Sequence, residues 1–133
     1  MKKAGLLILP VMIVLVVIGS GCLSQPRPTE GDIVLTDGIT LSPADCSVRG
    51  LQDKVLVIHS PNCPACRQAL PLLEELQNET GVEFEYIDIT TDAGLKRVDQ
   101  LNITSEYIPD VIAKCKVSVG YKSKEEFRDM ILS

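Results

Sequence analysis

The chain has 133 residues, with 13 basic and 18 acidic side chains and a net charge of −5. That length allows one domain and no more. The acidic balance lacks the basic face that nucleic-acid binding demands, so no nucleic-acid partner is expected.

The first residues differ from the rest. Lys2 and Lys3 precede an apolar stretch from Ala4 to Ile18, and small residues follow up to Cys22. A positive start, an apolar run and a small-residue exit form an export-signal pattern. Gly21-Cys22 resembles a prokaryotic lipoprotein signal, which makes Cys22 the expected lipidation site. An uncleaved anchor with a free Cys22 is the other open reading, although the run is short against the roughly 20 apolar residues of a span. Both readings put residues 1–23 at a membrane and the domain on its extracytoplasmic face. Residues 24–32 carry two prolines, a Gly and few apolar side chains, and read as a tether. Residues 1–21 hold two Lys and no acid, so the remainder has 11 basic and 18 acidic residues, a net of −7.

The domain occupies 33–133. Ile33 to Leu41 is apolar and β-branched around Asp37-Gly38, which predicts a hairpin or one interrupted strand. Ser42 and Pro43 suit the cap and first position of a short helix. Val55 to His59 is a continuous apolar run, the pattern of a strand covered on both faces. A helix is expected over Pro64–Glu79, with Leu70, Leu73 and Leu76 toward the core and Gly81 at its C-cap. Val82 to Ile89 alternates and predicts a strand. Asp92 is placed to cap a short helix carrying Leu95 and Val98. Two short strands, Pro109–Ala113 and Lys116–Val119, flank a turn at Lys114-Cys115. Ser123 and Glu126 form a capping box that opens the last helix, with Phe127, Met130 and Ile131 inward. Alternating strands and helices imply an α/β sheet whose last hairpin is antiparallel.

Cys63-Pro64-Ala65-Cys66 carries the chemistry. A spacing of three at a helix start puts both sulfurs on one face. The first Cys meets the free N–H groups and the dipole of the helix N-terminus, which stabilise a thiolate. Pro64 fits the first turn because its missing N–H costs nothing there. Cys66, inside the turn, is placed to resolve a mixed disulfide. Thiol exchange of this kind requires no metal and no organic cofactor.

Strand-CxxC-helix over Val55–Leu76, Pro71 five residues past Cys66, and Ile108-Pro109 before a strand together resemble the thioredoxin superfamily. Gly120 and Tyr121 before the final helix match it too. The resemblance implies a thioredoxin-like α/β fold, a central mixed sheet flanked by helices. It also implies a cis Ile108–Pro109 bond beside the CxxC that holds the substrate strand, and thiol–disulfide oxidoreductase activity on protein thiols or disulfides. The CPxC order and the short stretch from Pro109 to Gly120 look more like glutaredoxins, though no glutathione-binding residues are assigned. Two departures stand out. Asn62 replaces the tryptophan usual before the first Cys, and Val57 replaces the buried acid six residues before it. Asp110 follows the proline, and a carboxylate near Cys63 would raise the thiol's pKa.

Cys46 and Cys115 remain open between a structural disulfide, a redox relay to Cys63–Cys66, free thiols, and a zinc site of all four cysteines, whose spacing matches no recurrent zinc pattern. The rival to an enzyme is a membrane-tethered binding module in which the CxxC is a structural disulfide or zinc clip. His59 reads as a strand-end structural residue rather than a proton shuttle. Glu83, Glu85 and Asp88 read as polar strand positions. Asn78-Glu79-Thr80 and Asn102-Ile103-Thr104 match the glycosylation sequon. The location makes a membrane redox partner an expectation.

Overall fold

The computed structural model describes residues 31–133. The signal, tether and lipidation expectations at 1–30, Cys22 included, lie outside the described residues. No helix among those described is long and apolar enough to cross a membrane.

Four strands form the main sheet. β2 (Lys54–His59) runs parallel to β3 (Glu83–Asp88) and antiparallel to β5 (Asp110–Ala113). β5 in turn pairs antiparallel with β6 (Lys116–Val119), so the order is β3-β2-β5-β6. Leu56 and Ile58 pack into one apolar cluster, while Val55 and Val57 pack into another on the opposite face. The uninterrupted VLVI run is therefore buried on both sides, as a central strand between helix layers requires.

One face is covered by α2 (Pro64–Thr80) and α4 (Lys124–Leu132). Ala69, Leu73 and Leu76 of α2 and Phe127 and Ile131 of α4 meet Val57, Phe84 and Val111. Leu70 is only partly buried, so the inward stripe runs through Cys66 and Ala69 instead. Pro71 sits within α2 and the helix continues through it. Gly81 closes α2 in the left-handed region (φ 67°), which glycine enters without steric cost. Lys124 and Arg128 reach Glu75 and Glu79 to tie α4 to α2. The capping box at Ser123 and Glu126 is formed.

The other face is covered by α1 (Pro43–Val48), α3 (Asp92–Gln100) and a parallel pair of two-residue strands, β1 (Ile33–Val34) and β4 (Ile103–Thr104). Two expectations are corrected here. The cap of α3 is Thr91, whose hydroxyl accepts the Gly94 N–H, and Asp92 is the first helical residue. Leu95 is exposed. Helix α3 instead approaches β3 through Gly94, where an added Cβ would lie 1.8 Å from the Asp88 carbonyl oxygen. Of the two readings of Ile33–Leu41, the hairpin does not form and the segment runs as an interrupted strand. Its first half pairs with β4, and its second half runs beside β6, with Gly38 N–H to Val117 O at 3.0 Å and Leu41 N–H to Cys115 O at 2.7 Å. Each half gains more by covering a free edge than by pairing with the other.

Candidate active site

The CxxC segment leaves the end of β2 through a turn. The Cys63 N–H donates to the Ser60 carbonyl, and the Asn62 N–H donates to the Ser60 hydroxyl at 3.2 Å. Ser60 is buried, and its part in shaping this turn left no signal in the sequence beyond the polar residue itself. Cys63 is the N-cap of α2, in extended conformation, and its sulfur accepts the Cys66 N–H at 3.1 Å. A side-chain acceptor at an N-cap normally comes from Ser, Thr, Asp or Asn. Here sulfur takes that place, and a thiolate there gains both the hydrogen bond and the helix dipole.

Cys63 and Cys66 are disulfide-bonded, with Cα atoms 5.2 Å apart. Cys63 is half-buried and Cys66 is fully buried. Only the first sulfur is open to an incoming group. Ile108–Pro109 is cis, and Cys63 Sγ lies 3.5 Å from the Ile108 carbonyl oxygen. The proline residue is buried, and its own carbonyl accepts the Gly120 N–H at 2.7 Å. The loop from β4 to β5 thus stands against the Cys63 sulfur, pinned to the end of β6.

Cys46 and Cys115 form a second disulfide, with Cα atoms 5.6 Å apart and a sequence separation of 69. Cys46 lies on α1 and Cys115 in the β5–β6 turn, where Lys114 and Cys115 both have positive φ (47° and 67°). That turn sits beside the start of β2, because Ala113 pairs with Val55, whereas the CxxC sits past its end. The four residues of β5 separate the two pairs by about 13 Å at strand rise. The relay reading therefore has no direct sulfur-to-sulfur path. The four-thiol zinc reading is likewise corrected, since the cysteines pair at opposite ends of the sheet. Among the described residues no group of three or more His, Cys, Asp or Glu gathers as a metal site.

His59 packs edge-on against Tyr86, with ring centroids 6.2 Å apart, and its buried Nδ1 has no hydrogen-bond partner. Val57 is fully buried among apolar side chains. Asp110 is fully buried as well, and it accepts a hydrogen bond from the Ser105 hydroxyl. Burial pushes its carboxyl up to about 6, with Ser105 pulling the other way. Glu85, by contrast, is held down at about 2 by the hydrogen bonds of Arg97 and Lys54 against the opposing effect of burial. It belongs to a surface ion group, in line with a polar strand position.

The comparisons with known proteins bear on this arrangement. The chain matches the family described as Glutaredoxin-like domain (DUF836) over residues 54–131, more than half of its length. No curated protein matches it significantly. Among solved structures, the glutaredoxin from Archaeoglobus fulgidus is similar at 21% identity, covering 65% of this chain and 94% of that one, with a TM-score of 0.43. The matched segment opens at β2 and takes in the CxxC, the cis-proline and α4. The chain therefore belongs to the glutaredoxin-like family, within the thioredoxin superfamily.

Proposed function

We propose that the protein is a thiol–disulfide oxidoreductase, tethered to a membrane by its N-terminal segment and acting outside the cytoplasm on protein thiols or disulfides. The observation that carries this reading is the unequal burial of two paired sulfurs at one helix N-terminus. Cys63 is accessible and accepts a backbone N–H, and Cys66 lies buried behind it.

Family membership supports a thiol redox function at the coarse level. The finer mechanism follows from sulfur chemistry. In reduction, the Cys63 thiolate attacks one sulfur of a substrate disulfide. A Cys63–substrate disulfide forms, and the second substrate sulfur leaves as a thiolate. The Cys66 thiol, losing its proton to solvent, then attacks Cys63 Sγ. The Cys63–Cys66 disulfide closes and the first substrate sulfur leaves. Two electrons pass to the substrate. Oxidation is the same sequence reversed. The cis-proline loop is the surface along which a substrate strand would lie, with Ile108 and Pro109 as its contacts. A membrane redox partner would restore the starting state of the pair. Nothing in the step calls for a metal or an organic cofactor.

The test uses residues 24–133 equilibrated across glutathione redox buffers, with thiols trapped and cysteine pairs mapped by mass spectrometry. A reversible two-electron transition confined to Cys63 and Cys66, within or near the range of about −270 to −120 mV known for such dithiols, is expected. No transition over that range would overturn the proposal.

A further inference from the structure

Asp110 is the least expected residue near the site. It is fully buried, and its cross-strand neighbours Ile58 and Val119 are apolar. One carboxyl oxygen accepts from Ser105, while the other, Oδ1, has no hydrogen-bond partner. A carboxyl in such a setting lowers stability, and an apolar side chain would pack there at lower cost. Groups held at a stability cost beside a reactive centre are candidates for a role in its chemistry.

The connection to the sulfur runs through the β4–β5 loop. Ser105 opens that loop and also contacts the Tyr107 carbonyl at 3.4 Å. The next residue, Ile108, presents its carbonyl to Cys63 at 3.5 Å. Asp110 follows the cis-proline and so holds the loop from its other end. We propose that Asp110, acting through Ser105, is a positioning residue that sets the ionisation of Cys63, by fixing the Ile108 carbonyl against the sulfur and by its own charge. This rests on the dithiol reading above. Both contributions favour the neutral thiol. A carbonyl oxygen accepts from S–H and repels a thiolate, and an ionised carboxylate close by repels it further. They oppose the Cys66 N–H and the helix dipole, which favour the thiolate.

The elements around Asp110 hold few groups that could act in its place. His59 on β2 packs on Tyr86. Asp37 binds the Val119 N–H and Lys122. On the covered face Arg49 is committed to Asp45 and the Leu101 carbonyl, and Arg97 to Glu85. Glu106 and Tyr107 are exposed in the loop. None of them hydrogen-bonds to Oδ1.

The test is the alkylation rate of Cys63 against pH in the reduced full chain, with iodoacetamide and the Cys63 peptide read by mass spectrometry. The wild type should titrate in two steps that belong to the coupled Asp110–Cys63 pair, because the ionising Asp110 holds part of the thiol back to higher pH. Asp110→Asn should collapse this to one step and raise the rate near pH 7 about 3- to 10-fold, the effect of removing a like charge in a partly shielded site. Ser105→Ala should move the lower step to higher pH, because the Ser105 hydrogen bond favours the carboxylate. This second variant decides the matter if Asp110→Asn fails to fold. A wild type with a single step, an unchanged profile in Asp110→Asn, or an unmoved lower step in Ser105→Ala would overturn the positioning role while leaving the dithiol reading intact. A Cys63 that resists alkylation at every pH would overturn the dithiol reading itself.

Discussion

Consider the Cys46–Cys115 disulfide, which ties α1, outside the family-matched segment, to the β5–β6 turn inside it. Replacing both cysteines by alanine frees the denatured chain of a loop closed over a sequence separation of 69. The chain-entropy relation for that loop gives about 4 kcal/mol. Cys46 is also fully buried in the cluster that holds Leu41, Leu51 and Val117, so the lost sulfur contacts add to this. A domain of this size has roughly 5–15 kcal/mol in total, and the variant should sit near the edge of stability. The assay is urea unfolding of residues 31–133 at pH 7, fitted for both midpoint and slope. The matched control is Cys63→Ala with Cys66→Ala, which opens a loop closed over a separation of only 3. The same relation gives about 1.6 kcal/mol there. A loss under about 1 kcal/mol at Cys46/Cys115, or a larger loss at the CxxC, would refute the assignment of the first pair to structure and the second to chemistry.

Two further outcomes follow from the site and its surroundings. Cys66→Ala removes the resolving sulfur, so a disulfide substrate should accumulate as a covalent Cys63 adduct visible on a non-reducing gel; rapid release without an adduct would count against the order of attack. Glu85 is held at about 2, below its ordinary 4.5, and therefore stabilises the fold above pH 4.5, with the contribution lost as pH falls toward 2. Glu85→Gln should then cost about 1 kcal/mol at pH 7, reduced by the group's partial exposure, and progressively less as pH falls through about 2, as measured by thermal unfolding.

Local rules made much of this molecule legible. The capping box at Ser123, the cap at Ser42 with Pro43 behind it, and the glycine closing α2 each depend on a few adjacent residues, and each appears where its pattern stands. The apolar run in β2 is local too, and its double coverage followed from composition alone. What failed to read was partly a choice between neighbouring residues and partly a matter of partners distant in the chain. Thr91 takes the cap of α3 ahead of Asp92 because its hydroxyl meets the Gly94 N–H, while the Asp92 side chain points out into solvent. Gly94 gives no sign in the sequence that it must clear the Asp88 carbonyl. Around Asp37-Gly38 the sequence left a hairpin and an interrupted strand open, and pairing with two separate edges decides for the interrupted strand.

The same division runs through the site. By itself the sequence determines that two sulfurs share the first turn of a helix behind a buried strand, since spacing and helix geometry settle this within a few residues. The resemblance to the thioredoxin superfamily, rather than any local rule, marks Ile108-Pro109 as the element to stand beside them. Only the tertiary structure decides which cysteines pair, that Cys66 is fully buried while Cys63 is only half-buried, and that the Ser105 hydroxyl bonds the buried Asp110 across the loop. Pairing and burial are set by the packing of strands and helices far apart in the chain, and no periodicity within a single element records which face of a neighbour it will meet.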